Sequence, residues 1–118
     1  MWERYNLMGQ NAMSQGKPGE AESQFRLAVA EAEKLDAKDP KLPTSLNNLA
    51  NCLRSQGKYP EAEACYKRAL EVKQKAVGPL HNDLISIYEN YAKMLRAAGR
   101  EAEATKMDTH ARAIFMKK

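Results

Sequence analysis

Three glycines, Gly16, Gly57 and Gly99, lie 41 and 42 residues apart, and the same pattern of side chains surrounds each of them. The clearest copy is residues 46–70, LNNLANCLRSQGKYPEAEACYKRAL. Leu46, Leu49, Ala50 and Leu53 fall at i, i+3, i+4 and i+7, the spacing of one buried helix stripe. Gly57 interrupts it, and Pro60 is tolerated where a new helix starts, because the missing N–H is not needed there. Ala62, Tyr66, Ala69 and Leu70 make a second stripe. In the first copy Tyr5, Met8, Gly9 and Ala12 stand for the first stripe, and Ala21, Phe25, Ala28 and Val29 for the second. In the third, Tyr88, Tyr91, Ala92 and Leu95 are followed by Ala104 and Ala111. A hairpin of two such helices cannot bury its apolar face alone, but three stacked hairpins can. The period therefore predicts an all-α solenoid of three helix-turn-helix units.

The chain in order gives first helices over 2–15, from Pro43, and from about 83 to Ala98. Second helices are expected over 18–37, 60–76 and 100–116, and the repeats are approximately 2–37, 43–77 and 83–117 within one domain, 1–118. Lys38-Asp39-Pro40-Lys41 reads as a linker, and Gly78-Pro79 stops the fourth helix. His81-Asn82-Asp83 offers oxygen acceptors to cap the fifth. The last helix departs from the pattern. Asp108 and Arg112 stand where Tyr66 and Leu70 would be, as a terminal unit with a polar outer face requires. Ile114, Phe115 and Met116 are nevertheless apolar, and either fold back on the third hairpin or mark a surface that meets something else.

Composition excludes several classes. With 43% hydrophobic and 29% charged residues the 118-residue chain is globular rather than disordered. No apolar run approaches the roughly 20 residues of a membrane helix, and Glu3 and Arg4 interrupt any signal core, so a cytoplasmic protein with no membrane partner is expected. The net charge of +4 is spread over helix faces as alternating signs. It includes the terminal Lys117 and Lys118, and without a tight basic cluster and stacking aromatics it argues against nucleic acid. Cys52 and Cys65 read as reduced structural thiols, with no metal-ligand spacing. Two histidines, His81 and His110, form no nucleophile–base pattern, and no phosphate loop appears, so no enzyme, cofactor or metal is expected.

With LNNLA, QGKY and YKRALE at this spacing, the chain resembles the tetratricopeptide repeat family over nearly its whole length. The repeats are most similar to the kinesin light chain type, longer than the usual ~34 residues. The resemblance implies a right-handed solenoid whose first helices line a concave groove, and hence a protein-binding scaffold. The groove positions off the core stripe are Asn6 and Gln10 in the first repeat, Asn47, Asn48, Asn51 and Arg54 in the second, and Asn90, Lys93 and Arg96 in the third. Glu3, Met13, Thr44, Ser55, Ser86, Glu89 and Ala97 complete that stripe. A carboxamide carries one acceptor and two donors, so a row of them can hold the backbone of an extended peptide without reading its sequence. The resemblance implies that use for Asn48 and Asn90. Arg54, Lys93 and Arg96 would suit an acidic segment. Repeats that clamp the carboxylate tail of heat-shock chaperones use a Lys–Asn–Asn–Lys–Arg set. Here Asn6, Gln10, Asn48, Ser86 and Asn90 take those places, so the cations are missing and tail binding is not expected. The alternative is a self-association module, a homo-oligomer joined through end surfaces such as Ile114, Phe115 and Met116.

Overall fold

A computed structural model describes residues 1–117; Lys118 lies outside the described residues. Six helices follow in order: α1 (Trp2–Ser14), α2 (Pro18–Ala32), α3 (Lys41–Ser55), α4 (Tyr59–Val77), α5 (Leu84–Ala97) and α6 (Glu101–Met116). They pair as hairpins α1/α2, α3/α4 and α5/α6, and α2 and α4 also pack on the first helix of the next hairpin. The result is an all-α solenoid measuring 36 × 34 × 20 Å.

The three glycines close the hairpins in one way. At each, φ is positive (73°, 75° and 79°), the left-handed region that costs glycine nothing. The glycine N–H donates to the carbonyl three residues back, and the next N–H reaches five back: Lys17 to Ala12 at 2.8 Å, Lys58 to Leu53 at 2.9 Å, and Arg100 to Leu95 at 2.8 Å. This pair of hydrogen bonds satisfies helix-end carbonyls and fixes the angle at which the second helix returns.

Both stripes point inwards. Phe25, Leu46, Leu49, Leu53, Tyr66, Ile87, Tyr91, Met94 and Leu95 share one core with Ala21, Ala50, Ala62, Ala69, Ala92 and Ala104. The alanines let helices approach, and Gly9 goes further: a Cβ there would lie 2.5 Å from the Phe25 ring. A smaller cluster of Leu84, Tyr88, Ala111 and Ile114 seals the far end.

Several expectations need correcting. Met8, matched to the buried Leu49, is 42% exposed: the α1/α2 hairpin covers Leu49, and among the described residues no hairpin lies over Met8. Helix α2 ends at Ala32 rather than near Ala37. There Lys34 and Leu35 donate to carbonyls three residues back, and the chain tightens into turns. Helix α3 starts at Lys41, ahead of Pro43, because the Asp39 carboxylate accepts the Lys41 N–H at 2.9 Å. Asp83 does not cap α5 with its side chain, and its own N–H donates to His81 Nδ1 at 3.0 Å. The Ile114-Phe115-Met116 trio divides: Ile114 is buried under the third hairpin, while Phe115 and Met116 are exposed.

Candidate functional site

The first helices lie side by side, and carboxamides join them. Asn48 Nδ2 donates to Asn6 Oδ1 at 2.9 Å, and Asn90 Nδ2 donates to Asn47 Oδ1 at 3.5 Å. Each rung links one first helix to the next, from the same two repeat positions. Rung pairing uses one donor of Asn48 and Asn90 and one acceptor position on Asn6 and Asn47. Each carboxamide keeps hydrogen-bonding capacity for something else. Trp2 adds a third link, its indole N–H donating to the buried Ser45 hydroxyl at 2.5 Å.

Between α3 and α5 opens a cleft of about 660 Å³. Thr44, Asn47 and Asn48 line one wall, and Ser86, Ile85 and Glu89 the other. Lys73 of α4 and the loop residues Asn82 and Asp83 also line it. Lys73 is only 8% exposed, and its ammonium pairs with the Asp83 carboxylate at 3.2 Å. With that charge neutralised within the protein, Glu89 is the exposed charge on the wall. Lys73 and Asp83 were absent from the sequence-derived set. The available signal was a lysine at i+7 from Tyr66, on the buried stripe of α4.

The remaining expected groove residues divide. Asn51 is half-buried and accepts a hydrogen bond from the Tyr66 hydroxyl, so it serves its own hairpin. Arg54 is half-buried, and its guanidinium donates to the Asn90 carbonyl oxygen at 3.2 Å, stapling α3 to α5. Arg96 turns to α6, where Glu101 at 3.0 Å and Asp108 hold it. Gln10 and Lys93 are exposed, and Lys93 has no ion-pair partner among the described residues. The positive set expected from Arg54, Lys93 and Arg96 therefore reduces to Lys93 as the open cation.

The junctions between hairpins carry their own electrostatics. Glu22 of α2 meets Lys58 at 3.1 Å and Gln56 at 3.0 Å. The Gln56 hydrogen bond, with Lys58 and Arg26, holds its carboxyl down to about 2. One junction on, Glu63 takes both Arg100 guanidinium nitrogens at 2.8 and 2.9 Å, a bidentate pair that lowers its pKa. Tyr66 stacks on Tyr91 with centroids 5.6 Å apart, and burial pushes its phenol up to about 12. Cys52 is buried and Cys65 half-buried, both free, and burial raises both thiols. Among the described residues no helix is long and apolar enough to cross a membrane.

The profile of the tetratricopeptide repeat matches residues 4–75 and 41–117. No curated protein matches the chain by sequence. Among solved structures, a Podosopora anserina chain of nearly identical TPR-like repeats, assigned as a kinesin light chain, is 21% identical with a TM-score of 0.84. That match covers 98% of this chain and 56% of the other. A single-residue variant of it is 22% identical with a TM-score of 0.86, covering 98% and 55%. BtubC (BKLC) from P. vanneervenii is 22% identical with a TM-score of 0.81, covering 98% and 46%. At such identities the likeness is one of fold, and the chain spans about half the length of these structures.

Proposed function

Because the chain belongs to the tetratricopeptide repeat family, whose repeats are protein-interaction scaffolds, we propose that it holds an extended segment of a partner protein against α1, α3 and α5. The observation that carries this reading is the 660 Å³ cleft walled by Thr44, Asn47, Asn48 and Ser86, with the carboxamide rungs beside it. The rungs orient the carboxamides before any ligand arrives, so little side-chain entropy is lost on binding. Their unused donors and acceptors can pair with a peptide backbone, each bond contributing about 1 kcal/mol net. Several together give roughly micromolar affinity. With Glu89 open on one wall and Lys93 further along α5, the groove favours a segment of mixed charge over a purely acidic one. The module acts by binding, not catalysis, and its two free thiols suit a reducing cytoplasm.

The test begins with an array of extended peptides probed with the intact chain. The tightest peptide is then titrated calorimetrically into wild type, Asn48→Ala and Lys67→Glu. Asn48→Ala is expected to weaken binding about 5- to 150-fold, the equivalent of roughly 1–3 kcal/mol. Lys67→Glu, on an exposed face of α4, is expected to leave it unchanged. Loss of binding in Lys67→Glu with none in Asn48→Ala would move the ligand to the second-helix side and overturn the proposal.

A further inference from the structure

The two junctions between hairpins are built from the same repeat positions, but they differ on the second-helix side. At the second junction a ring fills the space. Tyr88 of α5 is buried and stacks on His110 of α6 with centroids 5.2 Å apart. Its hydroxyl accepts a hydrogen bond from Gln74 Nε2 of α4 at 3.0 Å. Leu70 and Met107 pack against the same cluster.

One repeat earlier, Leu46 stands in the place of Tyr88, Cys65 in that of Met107 and Arg68 in that of His110. On α2, Val29 and Glu33 take the places of Leu70 and Gln74. With a leucine for the ring and a cysteine for the longer methionine, a cleft of about 320 Å³ opens between α2 and α4. Val29, Leu46, Leu49 and Cys65 line it, and Arg26 and Arg68 stand at its rim. Pockets for small molecules start at roughly this size, about 300 Å³. Its walls belong to two hairpins already stacked on each other, so it is a feature of an internal junction and not of an end of the stack. The rim is electrically balanced: Arg26 meets Glu22 and Glu61, and Arg68 meets Glu33. A charged occupant would have to break one of these pairs, whereas an uncharged one leaves them intact.

We infer that this cleft binds a small uncharged phenolic molecule, held as the second junction holds the Tyr88 side chain. The ring lies over Leu46 and against the Arg68 guanidinium, which replaces the His110 ring with a cation–π contact. The phenol hydroxyl donates to Glu33, whose carboxylate uses only one of its acceptor sites on Arg68. Val29 and Cys65 meet the apolar edge. A molecule seated there joins α2 to α4 and tightens the first junction. The site is separate from the groove and independent of what the groove binds.

The probe is p-cresol, which has the ring and hydroxyl of a tyrosine side chain; toluene, the same ring without the hydroxyl, is its control. Titrated into the intact chain with labelled leucine and valine methyls, p-cresol is expected to shift Val29, Leu46 and Leu49 saturably. Toluene should bind about tenfold more weakly, having no donor for Glu33. Cys65→Met places the second junction's own side chain in the cleft and should abolish both titrations with helicity unchanged. Glu33→Ala should bring p-cresol down to the level of toluene, and Glu33→Gln, which keeps an acceptor, should retain the preference. Saturating p-cresol should raise the melting midpoint of wild type and not that of Cys65→Met. Unmoved methyl signals with p-cresol would overturn the inference. So would shifts equally strong in Cys65→Met, or a preference over toluene that survives Glu33→Ala. Shifts produced by a blocked alanine–tyrosine–alanine peptide and not by p-cresol would assign the cleft to a partner protein and overturn the small-molecule assignment.

Discussion

Tyr66 of the second hairpin and Asp108 of the third occupy the same place in the repeat, 42 residues apart. Tyr66 is fully buried, stacks on Tyr91 of the next hairpin and donates to Asn51 of its own. Asp108 is half-buried and meets Arg96, which stands where Arg54 stands in the second hairpin. Arg54 reaches forward to the Asn90 carbonyl; Arg96 turns back to its own second helix. One backbone hairpin can thus be a joint or a stop. The aromatic makes a joint because a following helix desolvates it. The carboxylate makes a stop because it keeps the arginine at home and leaves a polar surface.

Converting the joint into a stop should have the largest effect. Tyr66→Asp removes the stacked ring and places a carboxylate in the main core, expected to cost about 3–5 kcal/mol. Arg54 would have to abandon the Asn90 carbonyl to pair with it. Urea unfolding checks this, and a change below about 1 kcal/mol would mean that the joint does not depend on the ring.

Gly9→Ala probes the first hairpin, where the Phe25 ring packs on the glycine that stands in the place of Ala50. Overpacking of roughly 1–3 kcal/mol outweighs the helix propensity gain of about 1 kcal/mol, because the ring is itself buried. A net loss in thermal stability is expected, and Ala50→Gly should cost the propensity difference of about 1 kcal/mol plus roughly 1 kcal/mol for the buried methyl it removes.

Acid should loosen both joints. The Glu22 carboxyl lies at about 2 in the folded chain against an ordinary 4.5, and Glu63 is shifted the same way. Both pKa values are lowered by folding, so their contribution is present above about pH 4.5 and lost as pH falls towards 2. Melting midpoints should drop across that window, and the double variant Glu22→Gln, Glu63→Gln should show a shallower drop from a lower starting value. An equally steep fall in the double variant would place the acid sensitivity elsewhere.

The smallest effect belongs to the stop. Asp108→Asn leaves Arg96 to Glu101 alone on an exposed face, where ion pairs contribute little, and the melting midpoint should stay near that of wild type.

Hairpins, turns and most of the core were legible in the sequence, because Gly16, Gly57 and Gly99 and the small–aromatic stripes are local patterns that repeat. What was not legible depends on neighbours. Met8 and Leu49 share a repeat position, and among the described residues a neighbouring hairpin covers Leu49 and not Met8. The carboxamide row was readable, but its pairing into rungs was not, since Asn48 meets Asn6 across 42 residues of chain. Arg96 could face the groove or α6 from the same helix position, and the carboxylates of Asp108 and Glu101 decide it. Lys73 reads as a solvated charge in the sequence despite its place seven residues after Tyr66, and its partner was not legible, because a loop brings Asp83 to it.

The proposal that the first-helix face holds a partner segment is tested most directly by mapping backbone amide shifts of the labelled chain during titration with the array-selected peptide. Shifts are expected at Thr44, Asn47, Asn48, Ser86 and Asn90, saturating together and lost in Asn48→Ala. Shifts confined to Arg26, Cys65 and Arg68, which border the cleft between α2 and α4, would place the ligand on the opposite side and contradict the account.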